Sequence, residues 1–502
     1  MFPTVKTSCQ DIACGKPIPT YTPHAVSVNL PTIEDVLAYK ENKNSWRERI
    51  CSGYPRFYTH PFEQIAAAFI RKQLAIGSHE HILLMPSERC AEHLLKHFKE
   101  IFPYQYYEKL TILTIPQKHP RLIEILTFIR HTGSKAYTRQ IEDFLVNHDL
   151  LDKAHQEDIV EENPVESIKA TLKKLYHIEQ EHITLYSSGM NALYTTFCAL
   201  QQHGIQNGRH IFIQFGHIYF DTEEILECYS EKRICIESVH DLEALERILK
   251  ERGSEVAAIF TEIPTNPFLN VCDLPRLREI TGSYGIPLVV DITIGTPINL
   301  DILPYCDAVV ESLTKFASGT GEVMGGAVVL NPDSPIYNML ARPIAQWGEP
   351  LYLRDAQRLA YTIKGYELRV TWSRESVLKL VQYLYSHPRV KKVHWSHSPE
   401  NIVNYRKIER CTNSYAPVIS VEFDFPLEKV YNRLQLPKGP SLGPDFTLVM
   451  PYFYMANHTL MRSEAGKQVL RDKGINPEML RISIGCESAM QIIGIFDEAL
   501  NF

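Results

Sequence analysis

The chain has 502 residues, of which 44% are hydrophobic and 22% are charged, as expected for a globular protein of two or three domains. Its 52 basic and 59 acidic residues give a formal net charge of −7, which argues against a nucleic-acid-binding surface. No apolar stretch approaches membrane-spanning length, and the N-terminus lacks the apolar core of a signal peptide. The 11 cysteines follow no zinc-binding spacing. We therefore expect a cytoplasmic protein with reduced thiols, no metal, no nucleic-acid partner and no membrane partner.

The N-terminal 130 residues contain one internal similarity. Residues 60–94 and 163–197 both run through Pro, a helix, Glu-His-Ile, a short strand, Ser and a second helix. A degenerate duplication and a chance similarity explain this pattern equally well.

The middle of the chain alternates short apolar runs with helical patterns. Seven runs are predicted as strands: 183–188, 210–216, 234–239, 256–262, 287–293, 308–314 and 327–331. Buried parallel strands read as continuous apolar runs, with helices as the crossovers between them. The pattern predicts a doubly wound α/β domain with a mostly parallel sheet, whose ligand lies beyond the carboxyl ends of the strands.

The last third of the chain predicts a smaller α/β domain. Residues 354–386 have a helical pattern that is interrupted near Gly365, and they lead from the large domain into this smaller one. Three strands, 418–425, 446–452 and 480–485, precede a terminal helix. We assign residues 1–130 to an N-terminal extension, 131–360 to the large domain and 361–502 to the C-terminal small domain.

The first polar cluster follows the first predicted strand of the large domain. Ser188, Gly189 and Met190 open a helix there, and the free backbone N–H groups of a helix start favour an anion such as phosphate. The alternative is an ordinary strand-to-helix turn in which Ser188 caps the helix.

Two later strands also end in polar residues. Asp291 and Thr293 would face the ligand crevice, although Asp291 could instead cap the following turn. A glycine-rich stretch follows Ser312, Thr314 and Lys315. The many hydroxyls and glycines around Lys315 favour a buried ligand-binding lysine over a solvated surface lysine. An amine, a carboxylate and an anion-binding turn are what pyridoxal 5'-phosphate (PLP) requires of a protein.

These segments resemble, in chain order, the motifs of the cystathionine γ-synthase/γ-lyase family of fold-type I PLP enzymes. The motifs are SSGM (187–190), EIPTNP (262–267), VVDITIGTP (289–297), SLTKF (312–316), GEVMGG (321–326) and LRISIGCE (480–487). The resemblance covers residues 135–500, and residues 15–40 and 53–61 look like the N-terminal extension of fungal-type cystathionine γ-synthases.

The resemblance implies a role for each matched residue. Lys315 would be the Schiff-base lysine and Asp291 the partner of the pyridine nitrogen, with Tyr219 stacked on the cofactor ring. The other cofactor contacts implied are Ser188, Gly189, Met190, Asn266, Thr293, Ser312 and Thr314. Arg481, with Asn266 and Ser441, would bind the substrate, its guanidinium pairing with the α-carboxylate. The alternative for Arg481 is a structural salt bridge.

Departures from the family pattern concern three places. The family donates a Tyr-x-Arg pair across a dimer interface to the neighbouring phosphate, and two segments here fit that pair. We favour Tyr137 and Arg139, which adjoin the matched region, over Tyr54 and Arg56. Ile292 stands where the family has Asn, and Pro440 stands where many relatives carry the Glu tied to reaction choice.

The implied activity is γ-replacement on an activated homoserine ester by cysteine, giving cystathionine in methionine biosynthesis or transsulfuration. The alternatives are a cystathionine γ- or β-lyase, γ-replacement with another nucleophile, or a non-catalytic regulatory relative. The implied partners are small amino-acid substrates and further copies of the chain, in a homodimer or homotetramer with shared active sites.

Overall fold

The computed structural model describes residues 12–41, 49–100 and 102–502. Its N-terminal part carries a two-stranded and a three-stranded antiparallel sheet. The strands are β1 (Pro17–Ile18), β2 (Ser27–Val28), β3 (Glu80–Met85), β4 (Tyr104–Tyr107) and β5 (Leu110–Pro116). β1 pairs with β2, and β5 lies between β3 and β4. The helices here are α1 (Ile33–Glu41), α2 (Pro61–Gln73), α3 (Glu88–Phe98), α4 (Leu122–Thr132) and α5 (Thr138–Asn147).

A seven-stranded sheet forms the centre of the molecule, and each of its strands coincides with a predicted apolar run. The strands are β6 (Ile183–Tyr186), β7 (Ile211–Phe215), β8 (Lys232–Ile236), β9 (Val256–Glu262), β10 (Leu288–Asp291), β11 (Ala308–Glu311) and β12 (Gly326–Leu330). Their order is β6-β12-β11-β10-β9-β7-β8. β8, β7, β9, β10 and β11 are parallel neighbours, whereas β12 runs antiparallel to β11 and β6. The prediction of a mostly parallel α/β sheet is confirmed.

Helices pack on both faces of this sheet, which explains its continuous apolar strands. The helices of this part of the chain are α6 (Pro164–Tyr176), α7 (Gly189–Gln206), α8 (Phe220–Tyr229), α9 (Leu242–Arg252), α10 (Leu274–Ser283), α11 (Tyr337–Trp347), α12 (Leu353–Thr362) and α13 (Tyr366–Ser386), and α13 continues into the core of the C-terminal sheet. Successive side chains of a strand point to opposite faces, so Val309 packs in one core cluster and Val310 in another. The predicted interruption near Gly365 is a 3-10 turn, Ile363–Gly365, between α12 and α13.

The C-terminal part is built on a four-stranded antiparallel sheet. Its strands are β13 (Lys392–His394), β14 (Val418–Glu422), β15 (Leu448–Pro451) and β16 (Met479–Ser483), in the order β13-β14-β16-β15. The sequence predicted all but the three-residue β13. The helices are α14 (Ile402–Arg406), α15 (Glu428–Tyr431), α16 (Tyr452–Ala456), α17 (His458–Met461), α18 (Glu464–Asp472) and α19 (Ala489–Leu500). Within the described chain, no helix is both long and apolar enough to cross a bilayer.

The N-terminal extension is tied to both larger parts. Val28 and Leu30 belong to the apolar core of the C-terminal sheet. The Leu30 amide donates to the Lys438 carbonyl at 2.7 Å, and the Val26 amide donates to the Gly321 carbonyl at 2.8 Å. The extension therefore lies against the glycine-rich loop that follows Lys315. The predicted domain boundaries stay predictions.

The two similar segments of the sequence have the same order of elements but different pairing. α2, β3 and α3 correspond to α6, β6 and α7. However, β3 pairs with β5 in an antiparallel sheet, while β6 is an edge strand of the central sheet. Duplication and chance remain equally good explanations.

Candidate active site

The carboxyl ends of the central strands surround one cavity of about 180 Å³. Of the predicted site residues, eleven line it: Ser188, Gly189, Met190, Tyr219, Asn266, Asp291, Thr293, Ser312, Lys315, Ser441 and Arg481. They come from segments almost 300 residues apart, which the parallel sheet and the C-terminal part bring together. Lys315 and Asp291 share this cavity, as one cofactor would require.

The first helix after β6 forms the floor of the cavity. The Ser188 side chain caps α7 by accepting a hydrogen bond from the Asn191 amide at 3.1 Å. Gly189 follows, and a Cβ added there would lie only 2.7 Å from the Ser312 Cβ. Glycine therefore lets the helix start approach the Ser312 turn closely, leaving backbone N–H groups and two hydroxyls around one anion-sized space.

Lys315 lies in the turn after β11, with its ammonium group inside the cavity. Its Nζ donates to Ser441 Oγ at 2.8 Å and to Tyr54 Oη at 3.3 Å. It also lies 4.4 Å from the centre of the Tyr54 ring, within cation–π range. Burial lowers the pKa of Lys315, while the neighbouring Tyr54 opposes that shift. The lysine is therefore neutral more readily than one on the surface.

Two carboxyl groups stand side by side at the strand ends. Asp291 of β10 is the register partner of Glu262 of β9. Asp291 Oδ1 accepts a hydrogen bond from the Thr293 amide at 2.8 Å, whereas Glu262 Oε2, in a residue that is 4% exposed, has no hydrogen-bond partner.

Burial raises the pKa of both carboxyl groups, and the neighbouring Asp291 raises the pKa of Glu262 further. The Thr293 hydrogen bonds oppose the shift at Asp291. Two adjacent buried carboxyls cannot both ionise easily. Asp291 is therefore the more easily ionised of the two carboxyl groups. The sequence analysis quoted Glu262 within EIPTNP but assigned it no role.

Arg481 of β16 reaches the cavity from the C-terminal sheet. Its Nη1 donates to Asn266 Oδ1 at 3.2 Å and its Nη2 donates to the Ser441 carbonyl at 2.7 Å. Among the residues that the structure describes, no carboxylate forms an ion pair with this 5%-exposed arginine. Burial lowers its pKa. An unpaired buried guanidinium is costly, so this site calls for an anionic ligand, and the alternative of a structural salt bridge is wrong.

Three predicted site residues do not line the cavity. The Thr314 hydroxyl is used by the backbone of Gly325, donating to its carbonyl at 3.2 Å and accepting from its amide at 3.0 Å. Arg139 is 1% exposed and donates to Glu157 at 2.7 Å and to Asp355 at 3.0 Å. Tyr137 is 6% exposed. These contacts lie within one chain, so the predicted role of the three residues at the phosphate stays a prediction.

The other Tyr-x-Arg segment is the one that lines the cavity. Tyr54 contacts Lys315, and Arg56 donates from Nη2 to the Tyr219 hydroxyl at 2.9 Å. Burial raises the pKa of Tyr54, but the charges of Lys315 and Arg56 outweigh it and lower the pKa. Both residues belong to the same chain as Lys315. The spacing of GYPRF to His60-Pro61 was the sequence signal for this segment, and which of the two pairs reaches a phosphate stays a prediction.

The arrangement fits PLP. A buried lysine, a carboxyl group hydrogen-bonded by Thr293, a helix start opened by Gly189 and an arginine without a carboxylate partner among the described residues surround one space. The sequence of residues 161–501 matches the family described as Cys/Met metabolism PLP-dependent enzyme.

The chain belongs to this family.

It is therefore a PLP-dependent enzyme of the cystathionine γ-synthase/lyase type. It is 33% identical to the L-2-amino-4-chloropent-4-enoate dechlorinase/desaturase of Streptantibioticus cattleyicolor, over 97% of this chain and 98% of the relative. It is 30% identical to the cystathionine gamma-synthase of Neurospora crassa, over 75% of this chain and 60% of that relative. Cystathionine gamma-lyase from Lactobacillus plantarum has the same fold, with a TM-score of 0.57 and 20% identity over 66% of this chain and 84% of that one.

Proposed function

We propose that the enzyme removes a substituent from Cγ of an L-amino acid, and that cysteine takes its place. The substrate is O-succinyl-, O-acetyl- or O-phosphohomoserine and the product is cystathionine, as in methionine biosynthesis or transsulfuration. The observation that carries the proposal is the buried, unpaired Arg481 on the same cavity as Lys315. A guanidinium in that position suits the α-carboxylate of an amino acid and would direct its Cα towards the lysine.

Bound here, PLP withdraws electrons from the amino acid, so that protons on Cα and Cβ become removable. Lys315 would hold it, with Asp291 as the anion at the pyridine nitrogen. Displaced from the cofactor by the amino group of the substrate, the Lys315 amine would move the protons, held in place by Ser441 and Tyr54. The leaving group would depart from Cγ with the bonding electron pair. The cysteine sulfur would form the new C–S bond as its S–H proton passes to solvent, and the protons taken from the substrate would return to Cβ and Cα.

A second candidate is elimination of the γ-substituent without a replacing nucleophile. One relative that matches 97% of this chain is named a dechlorinase/desaturase. Pro440 and the apolar Met450 and Met455 also line the cavity, which suits a substrate whose γ-substituent is small and uncharged before it leaves. Cystathionine γ- or β-lyase activity and γ-replacement with another nucleophile use the same residues.

Product analysis separates these reactions. The enzyme is incubated with each homoserine ester, with cystathionine and with L-2-amino-4-chloropent-4-enoate, with and without cysteine. Cystathionine formed only with both ester and cysteine supports the proposal. Chloride release without thiol supports the second candidate, and keto acid with ammonia supports a lyase.

The role of Lys315 is tested by Lys315→Ala. We expect this variant to lose all turnover and the visible absorbance of the lysine-linked cofactor, because the amine that would form that link is removed. Lys364→Ala, at an exposed lysine, is the control. Retained turnover or absorbance in Lys315→Ala would contradict the assignment.

We further propose that the chain acts in the cytoplasm as a homodimer or homotetramer. The support is the family resemblance of the sequence, which implies copies of the chain with shared active sites. The Tyr-x-Arg pair that lines the cavity comes from the same chain, so this feature does not itself call for a partner subunit.

A further inference from the structure

A buried carboxylate behind the cavity has no role in the chemistry above. Asp221 lies in the first turn of α8, two residues after Tyr219, and is 0% exposed. Its Oδ2 accepts a hydrogen bond from Arg56 Nη1 at 2.7 Å. Its Oδ1 lies 3.2 Å from Arg130 Nε, so two guanidinium groups balance one carboxylate.

The Arg56 guanidinium joins this carboxylate to the cavity. While Nη1 is bound to Asp221, Nη2 donates to the Tyr219 hydroxyl at 2.9 Å. Nη1 also donates to the Arg130 carbonyl at 2.9 Å. The planar fork of arginine makes these contacts in one fixed orientation, which the single nitrogen of lysine could not do.

We propose that Asp221 is a positioning residue of the active site. It anchors Arg56 to the start of α8, next to Tyr219. The segment around Tyr54 and the Tyr219 ring are thereby held in a fixed position relative to each other. The inference rests on the proposed function only in taking Tyr219 as the ring that stacks on the cofactor. The anchoring itself is a property of the protein without cofactor.

The surrounding charges favour this reading over a metal site. His131, Asp221 and Glu224 hold their potential ligand atoms within 4.8 Å of one another. However, Arg130 contacts both carboxylates, and Arg56 contacts Asp221. These guanidinium groups already supply the positive charge that a cation would bring. Asp221 also lies at the positive end of the α8 dipole, which stabilises its negative charge.

Asp221→Asn is the direct test, because asparagine keeps the shape and one acceptor oxygen but removes the charge. Glu224→Gln is the matched control, since Glu224 belongs to the same cluster and contacts Arg130 and His131 but has no contact with Arg56. Hydrogen exchange of residues 52–58 is measured in both apoproteins. We expect faster exchange in Asp221→Asn and unchanged exchange in Glu224→Gln.

The second readout is the visible circular dichroism of PLP added to each protein, together with kcat and KM. We expect Asp221→Asn to weaken the dichroism and to lower kcat by up to about 100-fold with a smaller change in KM, because a misplaced ring disturbs the reacting geometry. Glu224→Gln should remain within about twofold of wild type. Asp221→Glu, which keeps the charge, should restore part of kcat. If Asp221→Asn does not fold, Arg56→Lys, which weakens the same contact from the other side, takes its place and should show the same losses.

A double-mutant cycle shows whether Asp221 acts through Tyr219. Tyr219→Phe removes the hydroxyl that Arg56 holds, so Asp221→Asn should then have little further effect on kcat and dichroism. Fully additive effects, or wild-type exchange and dichroism in Asp221→Asn, would overturn the proposal. Exchange and dichroism need no turnover, so failure of the proposed reaction stays distinguishable from failure of this inference.

Discussion

The segments Tyr54-Pro55-Arg56 and Tyr137-Thr138-Arg139 share a sequence pattern but have different surroundings. Tyr54 and Tyr137 meet in one small apolar cluster with Val26 and Met324. From there, Arg56 is directed towards the cavity, while Arg139 is directed away from it into a group of acidic side chains. The comparison teaches that a Tyr-x-Arg pattern does not define a role by itself, because the role depends on which side chains bind the arginine.

Arg139 has a supporting task instead. Its Nη1 donates to the Glu322 carbonyl at 3.0 Å, within the glycine-rich loop after Lys315. Met324 of the same loop packs against Tyr54 and Tyr137. One segment therefore contacts the reacting lysine, and the other holds the loop behind it.

The largest effect is the loss of nearly all activity in Lys315→Ala and in Arg56→Ala, which mixing the two variants should not restore. Lys315→Ala and Arg56→Ala chains carrying different tags are co-expressed, and mixed oligomers are isolated by both tags. If Arg56 serves the cavity of its own chain, no site in a mixed oligomer has both residues and activity stays at the level of the parents. If Arg56 crossed to a neighbour, each mixed dimer would have one intact site. Recovered activity would therefore show that Arg56 serves the site of a neighbouring chain, contrary to the comparison.

The second prediction compares Arg56→Lys with Arg139→Lys. Arg56→Lys keeps a charge beside Asp221 but cannot also reach Tyr219, so we expect kcat to fall about tenfold or more. Arg139→Lys loses part of a four-bond fork, so we expect the free energy of unfolding to fall by about 2 kcal/mol while the folded enzyme keeps most of its kcat. Denaturant unfolding and steady-state kinetics measure both. The reverse pattern would exchange the roles of the two segments.

The smallest effect concerns the pH dependence of stability and involves His24, a histidine near Arg139. His24 is 1% exposed, and its Nδ1 lies 2.9 Å from Thr138 Oγ1. Burial, followed by repulsion from Arg139, lowers the pKa of His24 from 6.5 to about 3. The folded protein therefore keeps this ring neutral in a pH range where the unfolded chain protonates it.

Consequently, the free energy of unfolding should fall as the pH drops from 6.5 towards 3. This one group contributes at most about 1.4 kcal/mol per pH unit. We expect His24→Asn to flatten that dependence in urea unfolding measured between these pH values. His79→Asn, at an exposed histidine, is the control. An unchanged slope in His24→Asn would show that this histidine does not contribute.

The central sheet and half of the site follow from local sequence. In a strand such as Leu288–Asp291, the first three residues are apolar because helices cover both faces of the sheet. The last residue lies at the carboxyl end of the strand and must face the ligand crevice. The same reasoning found Gly189, Ser312 and Lys315 at strand and helix ends. These positions depend on neighbours within a few residues, so the sequence alone determined them.

Only the tertiary structure decided which arginine, which hydroxyl and which carboxylate serve the site. Arg56 and Arg139 differ through packing partners more than 100 residues away, such as Asp221 for Arg56 and Asp355 for Arg139. Thr314 follows its strand just as Ser312 does, but its hydroxyl is already bonded to Gly325. Glu262 became part of the site because β9 pairs with β10 in a register that sets it beside Asp291. Long-range packing, register and charge balance decide these contacts, and no local pattern encodes them.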